Sequence, residues 1–239
     1  MKKKIYQGSS KFLYQSEEDF ALIISFTDNI KLHDGRVLDI SGKGVINNTI
    51  SSFIMNKIDM IGIENHFIEK INMREQLVQF VDMLPIQLSI STIAYGRYVQ
   101  EFGMEEGYVF DNPIIEFRVK NRELKYPVIN EHQMLSFSWL TKGEIKQLKN
   151  KATRIYDFLT GLFAGVGIRL VECTLEFGKI FNGEEFICML ADEISLDTCR
   201  LWDMDTNEKL SFEVIEQDPT KAFQSYQAIL NRFNINPND

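Results

Sequence analysis

The sequence is sparing in residues that cross-link a fold. Its 239 residues include three cysteines, Cys173, Cys188 and Cys199, with no C-x-x-C spacing. Any pairing leaves an odd thiol, which argues against a disulfide framework, and the clustered Cys/His of a structural zinc site is absent. The three histidines, His33, His66 and His132, stand far apart and near no cysteine.

Long apolar runs are missing too. Uncharged stretches such as Phe158 to Ile168 fall far short of the ~20 residues that cross a bilayer. Behind the basic start Met1-Lys2-Lys3-Lys4 there is no apolar segment of the kind a secretory signal carries. Basic charge is the minority sign, since 26 Lys+Arg against 34 Asp+Glu give a formal charge of −8. A nonspecific polyanion binder needs a basic surface, so nucleic acid is not the expected partner, whereas a local pocket for a small anion remains compatible. These absences together describe a soluble, cytoplasmic protein with no membrane partner. No internal repeat, low-complexity segment or Pro/Ser linker divides the chain.

What is present is an ordinary globular balance of 44% apolar and 25% charged residues, with 18 Phe and 8 Tyr to fill a core. Short alternating segments predict strands over Lys3–Gln7, Lys11–Ser16, Phe20–Phe26 and Arg36–Ile40, with a turn at His33-Asp34-Gly35. Ile50, Phe53, Ile54, Ile58 and Ile61 recur at helical spacing, predicting a helix over Asn47–Ile61 capped by Ser41 or Asn47. Strands follow at Phe67–Lys70, Gln76–Val81, Pro85–Ser91 and Pro113–Lys120, with a short helix at Tyr95–Phe102. Thr141-x-x-Glu144 is a capping-box pattern opening a helix that runs to about Gly165. Strands Arg169–Lys179 and Glu185–Asp192 flank an Asn182-Gly183 hairpin signal, and Asp218–Asn234 closes the chain as a helix. The order predicts an α+β fold of antiparallel sheets with flanking helices in two lobes, residues 1–84 and 85–239, hinged near Asp82-Met83-Leu84-Pro85.

Four segments carry candidate chemistry. Tyr6-Gln7-Gly8-Ser9-Ser10-Lys11 is a Gly/Ser turn whose backbone N–H groups can approach a phosphate that Lys11 neutralises; a plain hairpin with an exposed lysine reads the same way. Gly42-Lys43-Gly44-Val45-Ile46-Asn47-Asn48 leads into a helix, either as an anion site at the helix N-terminus or as a simple helix start. Glu176 and Asp192 count outward from the Asn182-Gly183 turn to nearby positions on adjacent strands. On one face their repulsion calls for a bridging hard cation such as Mg²⁺ together with nucleotide phosphates; on opposite faces they are two solvated acids. Arg200, in Ser195-Leu196-Asp197-Thr198-Cys199-Arg200-Leu201-Trp202-Asp203, offers a planar fork to a phosphate or carboxylate, or else forms a structural Arg–Asp pair beside Trp202.

Taken together and in this order, these segments resemble the SAICAR synthetase family (the phosphoribosylaminoimidazole-succinocarboxamide synthases of purine biosynthesis). The resemblance covers essentially the whole chain. It includes the Y-x-G-x-x-K-x-x-Y start, Lys43-Gly44-x-x-Asn47-Asn48, Gly103-x-Glu105-Glu106-Gly107 and Pro113-Ile114-Ile115-Glu116-Phe117. It also takes in Leu170-Val171-Glu172-x-x-Leu175-Glu176-Phe177-Gly178 and Asp192-Glu193…Arg200-Leu201-Trp202-Asp203. It implies a two-lobed fold related to the ATP-grasp enzymes and the kinase N-lobe. It also implies a ligase that spends ATP, with Mg²⁺, to join L-aspartate to the carboxylate of an imidazole ribotide. Carried over by motif, Gly8 and Lys11 cradle the ATP phosphates, and the backbone of Asp82, Met83 and Leu84 meets the adenine. Glu176 and Asp192 hold Mg²⁺ and, with Lys11, form the catalytic set. Lys43, Asn47, Arg97, Glu172 and Arg200 face the substrates, and the family's habit implies a homo-oligomer. Ser9, Ser91, Thr174 and Phe212 stand where the family tends to carry Lys or Arg, which implies as the alternative a nucleotide-binding homologue with weak or lost activity.

Overall fold

The computed structural model describes residues 2–32 and 35–237, so the expected turn at His33-Asp34-Gly35 lies in part outside the described residues. Strands β1 (Lys4–Gln7), β2 (Lys11–Gln15) and β3 (Ala21–Phe26) form an antiparallel meander. A small pair, β4 (Asn29–Lys31) and β5 (Val37–Asp39), precedes the long helix α1 (Lys43–Met60). Strands β6 (Phe67–Lys70) and β7 (Glu75–Gln79) then return beside β3, giving a first sheet of order β1-β2-β3-β7-β6.

The second sheet begins with β8 (Asp82–Ile93), followed by helix α2 (Arg97–Phe102), β9 (Val109–Val119) and the short β10 (Val128–Ile129). Helices α3 (Glu131–Ser136) and α4 (Lys142–Ala164) lead to β11 (Ile168–Phe181), β12 (Phe186–Ala191) and β13 (Cys199–Asp203). The sheet order is β10-β9-β8-β11-β12, with β13 pairing the first half of β11. Helices α5 (Phe212–Gln217) and α6 (Pro219–Arg232) close the fold. The architecture is α+β with antiparallel sheets, as the sequence pattern implies.

One apolar core joins the two sheets. It runs from Ile50, Ile54 and Ile58 of α1 through Leu88 and Ile90 of β8 and Leu175 of β11 to Ile155 and Leu159 of α4. The first sheet adds only small clusters of its own, Ala21-Ile23-Leu77 and Ile24-Phe26-Val78. Burial, the main favourable term in folding, is concentrated where α4 packs on β11 and β8, while α1 packs on β3, β6 and β7 of the first sheet and on α6.

Local signals placed several elements. The Thr141 capping box is closed, with Glu144 N donating to Thr141 Oγ1 at 3.2 Å and Thr141 N donating to Glu144 Oε2 at 2.7 Å. The Asn182-Gly183 hairpin forms with Phe181 opposite Phe186 and Gly183 at φ 102°.

Other expectations shift. Helix α1 starts at Lys43, not Asn47, and neither Ser41 nor Asn47 caps it. A distant side chain does the capping, because Gly44 N donates to Asp28 Oδ1 at 2.9 Å. A methyl group at Gly44 would lie 2.7 Å from an Arg74 nitrogen and 2.8 Å from the Phe26 carbonyl oxygen, so only glycine admits this approach. The expected hinge at Asp82–Pro85 is instead the first stretch of β8. Pro85 sits there without breaking the sheet because the β8–β11 register slips between Glu176 and Gly178, a bulge that removes the need for its missing N–H.

Candidate active site

The seam between the two sheets collects charge from four separate elements. Strand β2 of the first sheet delivers Lys11, whose ammonium pairs with Asp192 and, at 2.8 Å, with Glu193 Oε1. Asp192 follows the last residue of β12, and Glu176 lies on β11 opposite Ala191, one position from Asp192. The charge of Asp192 reaches the Glu176 carboxyl and raises it, so the two carboxylates are electrostatic neighbours. Lys120, just beyond β9, pairs with Glu176 and donates its backbone N–H to the Pro85 carbonyl at 2.8 Å.

Charges this close and this buried perturb one another. Burial, then the neighbouring Asp192, push the Glu176 carboxyl up to about 7, against the pull of Lys120 and Lys11. Asp192 moves the other way: burial works upward, but Lys11 and Lys120 outweigh it and hold the carboxyl below its ordinary range. Burial opposes the charge of Lys11, yet Asp192, Glu193 and Glu176 hold its pKa well above the ordinary lysine value. Glu193 Oε2 is buried with no hydrogen-bond partner. The divergence of two adjacent carboxyls, one raised and one lowered, makes them a candidate functional pair.

Above this seam lies an apolar patch of Val81, Ile180, Met189 and Ala191. A methyl group at Gly178 would sit 2.5 Å from a Val81 methyl, so the glycine of Glu176-Phe177-Gly178 lets the strand connection cross closely here. The backbone of Asp82 and Met83 pairs with Lys179 and Gly178 of β11, whereas pairing with β9 begins only at Ile86. The opposite backbone edge of Asp82–Leu84 is thus left without a strand among the described residues. Gly8 closes the β1–β2 turn by donating its N–H to the Lys11 carbonyl at 2.9 Å.

A second cluster lies farther along β11. Glu172 faces Arg200 across the β11–β13 pair. The Arg200 guanidinium stacks 4.6 Å from the Tyr95 ring centre and donates from Nε to the Tyr95 hydroxyl at 2.5 Å. That hydroxyl in turn donates to Glu172 Oε1 at 2.7 Å, and Glu213 stands 3.9 Å from the guanidinium. On β9, separated from β11 by β8, Glu116 takes Arg97 at 2.6 Å and Arg118 at 2.5 Å. Arg97 also approaches Glu101 at 3.1 Å.

Lys43 and Asn47 are buried. Lys43 is 1% exposed and its ammonium donates to Asp197 Oδ2 at 2.6 Å, while the Tyr226 hydroxyl donates to Asp197 Oδ1 at 2.9 Å. The anion held at the N-terminus of α1 is the protein's own Asp28, which also takes both guanidinium nitrogens of Arg74 at 2.8 Å. Arg74 and the backbone N–H groups of Gly44 and Gly42 lower its carboxyl to about 2 despite burial.

The structure thus links Lys11, Glu176 and Asp192, groups Glu172 with Arg200, and turns Lys43 and Asn47 to Asp197. Reading by motif overlooked Lys120, Glu193, Tyr95 and His66 as site residues. Tyr95 and Lys120 had a weak signal, as the first residue of an expected helix and the last of an expected strand. The buried His66, whose ring reaches the Asp192 backbone carbonyl, had none.

The SAICAR synthetase family model matches residues 4–233 of the chain. A phosphoribosylaminoimidazole-succinocarboxamide synthase of Rickettsia massiliae is 66% identical over 232 residues, covering 97% of this chain and 98% of that protein. The crystal structure of the Ehrlichia chaffeensis synthase superposes with a TM-score of 0.95 at 40% identity, over 99% of this chain and 100% of the other. A type-2 SAICAR synthetase in complex with ADP gives a TM-score of 0.89 at 32% identity, over 95% and 96%.

Proposed function

The chain belongs to the SAICAR synthetase family, and we propose that its reaction runs at the seam where Lys11, Lys120, Glu176 and Asp192 converge. It is an ATP-dependent ligase that joins L-aspartate to the carboxylate of 5-amino-1-(5-phospho-D-ribosyl)imidazole-4-carboxylate, giving SAICAR, ADP and phosphate. That relatives over 97% of the chain are named as the synthase supports turnover over a weakened homologue. Release of ADP means that the γ-phosphoryl group activates the carboxylate. The aspartate amine then attacks the carbonyl carbon and displaces phosphate.

Phosphoryl transfer of this kind asks the protein for positioning and charge neutralisation more than for covalent chemistry. Lys11 supplies a fixed cation for the nucleotide phosphates, oriented by Asp192 and Glu193 in the free protein. Lys120 supplies a second, and the Gly8 turn lets the chain pass close by. The adenine lies on the apolar patch around Val81 and Met189, with the free backbone edge of Asp82, Met83 and Leu84 as its hydrogen-bonding rim.

The residues present fit Mg²⁺. Among the described residues no three His, Cys, Asp or Glu side chains converge as a metal cage. Two adjacent carboxylates, Glu176 and Asp192, do converge, and Mg²⁺ is commonly held by one or two carboxylates plus phosphates. A cation there would offset the burial and the Asp192 charge that together raise Glu176. Glu176 and Asp192 would hold Mg²⁺, which when bound would supply charge neutralisation for the transferred phosphoryl group.

Arg200, stacked on Tyr95, and Arg97 with Arg118 are the cations that face the anionic substrates, with Glu172 orienting Arg200. Lys43 and Asn47 are assigned to the Asp197 loop, since Asp197 already takes the Lys43 ammonium. We extend to this chain the two-lobe division at residue 84, the homo-oligomeric habit and the cytoplasmic location implied by the resemblance. The observation that carries the reading is the four-element convergence at the seam. Calorimetry with ADP–Mg²⁺ and with the ribotide, run separately, tests it. Binding of both ligands, with ADP release only when aspartate is also present, is the expected result. Nucleotide binding unaffected by Lys11→Met would overturn the placement.

A further inference from the structure

The reading of Asp192 as a metal carboxylate leaves a question of backbone geometry. Asp192 has φ 61°, in the left-handed region that residues with a side chain rarely occupy. Something must hold it there, because a relaxed backbone would turn the carboxylate away from Glu176 and Lys11.

The neighbouring contacts identify what does. Residues 64–66 run beside the end of β12: Leu190 N donates to the Glu64 carbonyl at 3.3 Å, and His66 N donates to the Leu190 carbonyl at 3.0 Å. The Asn65–Leu190 bridge completes this short parallel pairing. At Asp192 the ladder ends and a side chain takes over, with His66 Nε2 lying 2.8 Å from the Asp192 backbone carbonyl oxygen. A carbonyl only accepts, so Nε2 carries the proton and donates. The ring is buried, with His66 itself 5% exposed, and so is shielded from competing water. The His66 carbonyl accepts from Gln79 N at 2.7 Å, which ties it to the first sheet, the sheet that carries Lys11.

We infer that His66 is a positioning residue for the metal site: its Nε2–H bond to the Asp192 carbonyl locks the left-handed turn that aims the Asp192 carboxylate at Glu176. It touches no substrate and acts only through Asp192. It also couples the two sheets at the point where the proposed nucleotide site needs both. The inference rests on the proposed metal role of Asp192.

The test is the Mg²⁺-linked gain in ADP affinity, measured by calorimetry with ADP alone and with ADP plus Mg²⁺. His66→Met keeps the volume and removes the donor. It should cut the Mg²⁺-linked gain about tenfold, the lower end of what loss of an orienting partner costs a metal site. Its affinity for ADP without Mg²⁺ should stay within about twofold of wild type. His66→Gln, whose amide N–H reaches the position of Nε2, should restore most of the gain. His66→Asn places its donor nearer Nδ1 and should not. A wild-type gain retained in both His66→Met and His66→Asn overturns the inference. So does an equal loss of ADP affinity with and without the metal, which is what general destabilisation gives. If wild type shows no Mg²⁺-linked gain, or Asp192→Asn leaves it intact, the metal reading itself has failed.

Discussion

The two charged clusters of this protein are built in different ways. The substrate-side cluster is made largely of sheet neighbours: Glu172 opposes Arg200 on adjacent strands, and Glu116 and Arg118 are two residues apart on one face of β9. The phosphate-side cluster draws Lys11, Lys120, Glu176 and Asp192 from four elements in two sheets. In the first, each arginine is held in a planar, stacked or bidentate-ready geometry by a nearby carboxylate. In the second, two carboxyls sit together with their protonation pushed apart, one up to about 7 and one below its ordinary range. On the proposed function, the difference separates a surface that recognises fixed anions from one that receives a cation and phosphates.

That contrast can be broken at several points. The largest expected effect is Glu176→Ala, which should lower ADP release in a coupled assay by about four orders of magnitude through loss of charge neutralisation. Glu116→Ala should act chiefly on the KM for the ribotide. Equal losses in kcat for the two variants would erase the distinction between the clusters.

Lys11→Met leaves Asp192 and Glu193 buried without their cation. Removing one partner of a buried pair is strongly destabilising, so urea unfolding should register a loss of about 3–5 kcal/mol. A loss under 1 kcal/mol would mean that water reaches the site freely.

The raised carboxyl of Glu176 makes a pH prediction. With a value near 4.5 when unfolded and about 7 when folded, it binds a proton in the folded state only across that window. Its contribution to stability is therefore complete below about pH 4.5 and is lost as pH rises through 7. Relative to Glu176→Gln, the metal-free wild type should lose roughly 3 kcal/mol between those limits. Burial lowers His66 to about 4, so it contributes in the opposite sense, its stabilisation disappearing as pH falls from 6.5 to 4. It cancels in the difference between wild type and variant. Parallel stability curves for the two proteins would refute the carboxylate coupling.

On the substrate side, Arg200→Lys keeps the charge but removes the stacked fork over Tyr95. The ribotide KM should rise about tenfold with little change in ADP affinity. The smallest effect is expected at Asp28, distant from both clusters in role. Asp28→Ala should cost about 1 kcal/mol of stability through loss of the α1 cap, with kcat unchanged.

Much of the architecture was legible locally. The Thr141 box, the Asn182-Gly183 hairpin and the alternation of β3 are short-range signals, and each element stands close to where they put it. The start of α1 was not legible, because its cap is Asp28, sixteen residues upstream and outside any capping pattern. Nor was the true state of Asp82–Pro85, where a bulge beside Glu176 lets a proline sit inside a central strand. Among site residues, Glu176 and Asp192 were reachable by counting from a turn, since a hairpin has a definite register. His66 and Lys120 were not, because their partners lie 126 and 56 residues away.

By itself, the chain's sequence determined the fold class, most strands and helices, and membership of a ligase family, because hydrophobic period, turn chemistry and motif order are properties of neighbouring residues. Only the tertiary structure decided which cation answers which carboxylate: Lys11 to Asp192 rather than to solvent, and Lys43 to Asp197 rather than to an outside anion. Apolar burial, which brings α1, α4 and the two sheets together, is non-directional. The pairing of charges at the seam is fixed by how those layers dock, and no local rule encodes it.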